Sequence, residues 1–150
     1  MAGANTFTIR DLRPTDRAQW APLWDGYLEF YDTALDPEVT ETTFTRLNDP
    51  AEPMFALVAE DDTGALIGVT HCVLHRGTWA IGDFCYLEDL FVSPAARGRG
   101  VGRALIEAVY ARADANGWSR VYWLTHETNA EARQLYDRVA RNLGFIQYRR

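Results

Sequence analysis

The stretch that most constrains this chain is residues 86–103, YLEDLFVSPAARGRGVGR. Tyr86, Leu87, Leu90, Phe91 and Val92 make a mostly apolar run of strand length, and Ser93-Pro94 ends it because proline has no N–H to continue a ladder. Gly98, Gly100 and Gly102 follow at alternate positions, and from Val101 the pattern turns helical. Glycines let backbone N–H groups converge on an anion, and a helix starting there aims the positive end of its dipole at the same point. Arg97, Arg99 and Arg103 add positive charge, so a pyrophosphate suits the cradle. Neither common phosphate loop fits: there is no GxxxxGK(S/T), and GxGxxG would need glycine where Arg103 stands. Taken alone, the loop equally suits a plain strand-to-helix turn with solvated arginines.

The chain around it predicts a mixed α/β domain in the order β-α-α-β-β-β-α-β-α-β. Residues 6–10 alternate as a first strand, and a turn with Thr15 or Asp16 as cap opens a helix over 16–31. Trp20, Leu23, Trp24, Tyr27, Leu28 and Tyr31 form its apolar stripe. Asp36-Pro37 reads as a break before a second helix over 40–47, capped by Thr40. Strands at 54–60 and 65–75, joined by the turn Asp61-Asp62-Thr63-Gly64, and at 84–92 make an antiparallel set. A helix over 100–116 stops at Asn116-Gly117, and the buried strand at 120–125 that follows this crossover implies a parallel pair. Thr128 or Asn129 caps a last helix to about residue 143; Gly144 ends it, and 145–149 returns as a final strand.

With 150 residues, 47% of them hydrophobic, one domain spanning 1–150 is expected. No apolar run approaches the roughly 20 residues of a membrane span, and the N-terminus lacks the pattern of a signal peptide, so a cytoplasmic protein without membrane partners is expected. Cys72 and Cys85 lack metal or redox spacing and read as reduced, buried side chains. His71 and His75 are too far apart along a strand to share a metal ion, and no metal site is expected. All 15 basic residues are arginine. Residues 1–62 carry a net charge of −9 and residues 63–150 a net charge of +3. An acidic half suits a cationic substrate and a basic half an anionic cofactor, although acidic surface also serves solubility. Arginines clustered at one loop of a chain with net charge −6 argue against nucleic-acid binding.

The run Arg97-Gly98-Arg99-Gly100-Val101-Gly102 resembles the R/Q-x-x-G-x-G/A signature of the GNAT superfamily of N-acetyltransferases. YLEDLFV before it, and Asn129, Leu135-Tyr136 and Gly144-Phe145 after it, sit at that superfamily's order and spacing. Within the superfamily, YLEDLFV, VYWLTHETNAEARQLYDRVA and GFIQYRR look most like the branch holding the yeast histone and polyamine acetyltransferases. The resemblance implies the GNAT fold, with a splayed parallel strand pair at the acetyl-CoA site. It implies that acetyl-CoA is held by Leu90, Phe91 and Val92, by the loop Arg97, Gly98, Arg99, Gly100, Val101, Gly102 and Arg103, and by Asn129, Ala132 and Tyr136. It also implies a catalytic pair, Glu88 toward the amine and Tyr136 toward the leaving sulfur, and an acceptor site at Tyr31, Asp32, Glu88 and Trp123.

The chemistry agrees. Alkyl amines have pKa values near 10, so about one in a thousand is neutral at pH 7 and a carboxylate must help remove the proton. Strand alternation puts Glu88 on the face opposite Leu87 and Asp89, so only one of the two acids can look into a given cleft; the resemblance points to Glu88, with Asp89 read as a structural carboxylate. A tyrosine holds its proton at neutral pH and can give it to a thiolate. The expected activity is acetyl transfer from acetyl-CoA to the primary amine of a small cation such as a polyamine, an amino acid or a lysine-like side chain. Acetylation of basic peptides or histone-type lysines, and a non-catalytic CoA sensor, are the alternatives. A homodimer paired through the last strand is also open.

Overall fold

Alternating apolar strands and two helical stripes build one five-stranded sheet with helices on both faces. The computed structural model describes residues 6–150. The elements are β1 (Phe7–Asp11), α1 (Arg17–Phe30), α2 (Pro37–Leu47), β2 (Met54–Asp61), β3 (Leu66–His75), β4 (Phe84–Val92), α3 (Val101–Asn116), β5 (Arg120–Tyr122) and α4 (Ala130–Val139). Short 3-10 turns lie at Pro14–Asp16 and Pro94–Ala96. The sheet order is β1-β2-β3-β4-β5, antiparallel except for the parallel pair β4–β5. The mixed α/β architecture and the parallel pair expected from sequence are both present.

Consecutive residues of β2 divide between two cores, which puts the helices on opposite faces. On one face Val101, Leu105, Ile106 and Val109 of α3 pack on Leu57, Ala59, Ile67, Cys72, Cys85 and Leu87. On the other, Trp20, Leu23 and Trp24 of α1 and Phe44 and Leu47 of α2 pack on Ala56, Val58, Leu66 and Val69. Each fully buried aliphatic side chain contributes about 1.5–3 kcal/mol. Helix α3 comes close to the sheet at Gly68 on β3, where a Cβ would lie 2.8 Å from Val101 Cγ1 and 3.3 Å from Leu105 Cδ1. Only glycine lets the first turn of α3 press onto the sheet there.

At the far side of α1, the Asp16 carboxylate accepts from both terminal Arg10 guanidinium nitrogens, at 2.8 and 3.0 Å, and from the Arg13 backbone N–H at 2.7 Å. These bonds, Arg10 first, hold the Asp16 carboxyl below the usual range despite its burial.

The structure corrects four sequence expectations. The second helix starts at Pro37, not at 40: Asp36 caps it by accepting the Glu38 N–H at 2.9 Å, and Pro37 takes the first helical position, where its missing donor costs nothing. Strand β5 ends at Tyr122, short of 125, and α4 ends at Val139, short of 143. Residues 140–150 form no strand, so the expected final β element is absent. Leu143, Phe145, Ile146 and Tyr148 are exposed there. An extended segment gains ladder bonds only against a partner edge, and among the described residues no strand pairs with the tail.

Candidate active site

The site begins where the sheet opens. Strand β5 pairs with β4 only through Phe84, Cys85 and Tyr86, so residues 87–92 of β4 have no strand neighbour on that side. Backbone groups along a regular strand alternate between its two edges, and alternate N–H groups of the regularly paired part, 89–92, therefore face the gap. The turn Pro94–Ala96 then leads into the glycine loop. Gly98 and Gly100 have φ of +81° and +79°, values that other residues adopt at a cost, and nothing lies within 4 Å of a Cβ built on either. Gly100 caps α3 without a side chain, leaving the first-turn N–H groups directed at this open space. Gly102 is inside the first turn, where a Cβ would sit 3.4 Å from Leu135 Cδ2.

The three arginines rim this cradle and are all exposed. Arg97 Nε donates to the Val92 carbonyl at 3.1 Å with its guanidinium over the Phe91 ring, Arg99 reaches the Ala95 carbonyl, and Arg103 pairs with Glu107 at 2.7 Å. Leu90 and Val92 point to the α3 core, while Phe91 packs under α1, where a Cβ on Gly26 would meet its ring at 2.6 Å. A groove of about 540 Å³ between α1 and the end of β4 is lined by Gly26, Phe91, Ser93, Pro94 and Arg97 among others.

Strand β4 carries a bulge in its middle. His71 of β3 is opposite Asp89 and Cys72 is opposite Leu87, so Glu88 is the extra residue. Leu87 faces α3, yet Asp89 bonds His71 on the α1 side, so the expectation that Leu87 and Asp89 share a face is overturned. The bulge inserts one residue and reverses the alternation beyond it. Glu88 reaches solvent at the bulge, and desolvation by the surrounding protein, followed by the charge of Asp89, raises its carboxyl above the ordinary range.

Aromatic side chains gather around these two acids. Tyr27 stacks on Trp24 and touches Tyr31, whose ring is also 6.1 Å from that of His126. Burial, and then the Asp89 carboxylate beside its hydroxyl, push the Tyr27 phenol far up; burial and Asp89 raise Tyr31 as well. Tyr136 projects from α4 against Trp123, the ring centroids 5.5 Å apart. Burial, with a smaller contribution from nearby Tyr31, pushes the Tyr136 phenol up to about 12, so it keeps its proton at neutral pH. Asn129 stands at the N-cap of α4, its amide 3.3 Å from Thr125 Oγ1, and Ala132 is half-buried one turn before Tyr136.

Among the residues singled out from sequence, Tyr31 feels the charge of Asp89 and neighbours Tyr136, and Glu88 adjoins Asp89. Trp123 belongs to the cluster of Tyr110 and Tyr136. Asp32 does not join them: it is exposed, with φ of +49°, and lines a separate groove between α1 and α2. The sequence reading missed Trp20, Tyr27, His71, Asp89 and His126. Trp20 and His71 are 51 positions apart and share no local pattern, so only the fold brings them together.

Comparison with known proteins agrees with this geometry. The profile of the acetyltransferase (GNAT) family matches residues 18–145. The D-amino-acid N-acetyltransferase HPA3 of Saccharomyces cerevisiae is 40% identical over 143 residues, covering 95% of this chain and 89% of that protein. The uncharacterized N-acetyltransferase YhfO of Bacillus subtilis is 32% identical over 142 residues, covering 93% and 94%. The aminoglycoside N-acetyltransferase AAC(6')-Iy, solved in complex with CoA, superposes with a TM-score of 0.82 at 19% identity, covering 97% of this chain and 94% of that one. The chain therefore belongs to the acetyltransferase (GNAT) family and is an N-acetyltransferase.

Proposed function

We propose that the protein transfers an acetyl group from acetyl-CoA to the primary amine of a small cationic acceptor, the class that includes polyamines and free amino acids. The observation that carries this is the meeting of two features: an open β4 edge running into a glycine cradle, and beside it a recess with two carboxylates and several phenols. Acetyl-CoA, when bound, supplies an activated acetyl thioester. The first-turn amides of α3 with Gly98 and Gly100 suit its diphosphate, and the N–H groups of β4 beyond the bulge that face the gap suit its pantetheine arm and the thioester oxygen.

In this reading Glu88 binds the acceptor's ammonium and takes a proton from it, directly or through water. A raised carboxyl is a better base for an amine than an ordinary one. Tyr136 donates a hydrogen bond and then its proton toward the sulfur that leaves. Tyr31 contributes an aromatic wall that favours a cation.

The yeast relative is named for D-amino acids, which brings D-amino acids into the acceptor class together with the polyamines that the sequence resemblance suggests. The net charge of −9 on residues 1–62 favours, as a second reading, a basic peptide acceptor. The exposed Phe145, Ile146 and Tyr148 suit burial against a second copy of the chain. Thiol release from acetyl-CoA, measured with D-amino acids, spermidine and a histone-tail peptide in parallel, tests the proposal. Turnover with the free amines well above that with the peptide is expected; turnover with the peptide alone would overturn it.

A further inference from the structure

The α1 face of the sheet buries a polar chain for which acyl transfer as outlined above has no use. Trp20, fully buried, donates its indole Nε1–H to His71 Nε2 at 3.0 Å, and His71 Nδ1 lies 2.9 Å from Asp89 Oδ2. An indole nitrogen can only donate, so Nε2 must accept, and the imidazole carries its proton on Nδ1 and donates it to Asp89. The chain thus has one direction. It starts in the core and ends on a carboxylate whose side chain is 12% exposed, beside the Tyr27 hydroxyl and next to Glu88.

Two features argue that this is more than a way of satisfying buried groups. The bulge at Glu88 is what turns Asp89 toward His71; without it Asp89 would face α3 and the chain would have no end. The imidazole also packs against a stacked pair of rings, 5.9 Å from Trp20 and 5.0 Å from Trp24, which limits its rotation and so steadies the Asp89 carboxylate.

We infer that His71, its tautomer fixed by the Trp20 indole, is a positioning residue for the acceptor. It fixes Asp89 as a second anion of the recess, which binds the acceptor's ammonium group alongside Glu88. This deepens the proposed function and rests on its placement of the acceptor. A carboxylate offers about four lone-pair sites, and His71 and Tyr27 take two at most, leaving room for an ammonium donor. Two adjacent acids walled by Tyr27, Tyr31 and His126 favour a cation that carries a protonated amine over a neutral one.

Calorimetric titration of CoA-loaded protein with spermidine and with D-phenylalanine tests this without relying on turnover. His71→Gln keeps an acceptor for Trp20 but loses the donor to Asp89, whereas His71→Asn keeps a donor near the Nδ1 position and loses the partner of Trp20. A structural role predicts that Gln is the better replacement; positioning predicts the reverse. Affinity for at least one of the amines is expected to fall about tenfold in His71→Gln and in Asp89→Asn, and to stay within about threefold of wild type in His71→Asn. CoA affinity should hold in all three. Asp89→Asn preserves shape near the surface and so keeps the test decisive if a His71 variant misfolds.

Wild-type amine affinity in Asp89→Asn, or equal losses in the two His71 variants, would overturn the inference, as would wild-type protein that binds neither amine. Should the affinities behave as expected while no amine releases thiol from acetyl-CoA, the reaction proposed above fails and the acceptor site stands.

Discussion

Gly68→Ala tests whether the cofactor cradle depends on how closely α3 sits on the sheet. The new methyl would be 2.8 Å from Val101 Cγ1, and ordinary contact begins at 3.4 Å, so about 0.6 Å must be made up. Val101 is β-branched and helical, with one preferred rotamer, so its side chain cannot swing aside. Leu105 Cδ1 at 3.3 Å and the Phe91 carbonyl at 3.5 Å already crowd the same methyl, which leaves little room for retreat. The first turn of α3 must therefore lift, and with it the amides facing the cradle. Overpacking of this kind costs about 1–3 kcal/mol, a loss of about 2–10 °C in Tm for a domain of this size. Weakening charge-assisted bonds by about 1 kcal/mol lowers acetyl-CoA affinity about fivefold. Calorimetry and thermal melts read both effects. Val101→Ala added to Gly68→Ala removes the colliding methyl and should recover most of the acetyl-CoA affinity, a non-additive cycle. A Gly68→Ala protein with unchanged affinity and Tm would refute the claim that this contact sets the height of the cradle.

Three further outcomes are expected. Tyr136→Phe should lower kcat by about two orders of magnitude, the usual contribution of a positioned acid, with little change in acetyl-CoA affinity; unchanged turnover would remove the phenol from the chemistry. Trp20→Phe should cost about 1–3 kcal/mol more than Trp24→Phe in denaturant unfolding, because the first strands His71 Nε2 and the second removes an indole N–H that has no partner. Asp16→Asn should cost about 3 kcal/mol near pH 7. The folded Asp16 carboxyl is depressed, so its contribution is present above the ordinary value near 3.9 and lost as pH falls through the folded one. The gap between variant and wild type should therefore narrow below about pH 4, and a gap independent of pH would contradict the assignment.

Much of the fold was legible because its strands and helices obey simple periods. Strand β4 has the bounds that its apolar run and Ser93-Pro94 implied, and α3 starts at Val101, where the pattern turned helical, with Gly100 as its cap. What failed did so for identifiable reasons. Asp36-Pro37 is a cap followed by a favourable first helical residue, and a proline taken without its neighbour looks instead like a break. The bulge also left a trace. Cys85 and Leu87 are odd-numbered, Leu90 and Val92 even-numbered, and all four pack on the α3 face, which is possible only if a residue is inserted between Leu87 and Leu90. Strict alternation across Glu88-Asp89 hid that switch and with it the role open to Asp89. The bond between Trp20 and His71 and the tail beyond Val139 were out of reach, since each depends on contacts, made or missing, that a local pattern does not encode.

Helix α4 has no fully buried residue, although it carries both Asn129 and Tyr136. Its hold on the body is a handful of half-buried contacts through Leu135, Tyr136 and Val139 and one bond from the Tyr110 hydroxyl to the Val139 carbonyl. An element so lightly tethered detaches at a lower free energy than the sheet unfolds. Heat should consequently silence this enzyme while most of its tertiary structure survives, and amide exchange should mark residues 130–139 as the first cooperative unit to open.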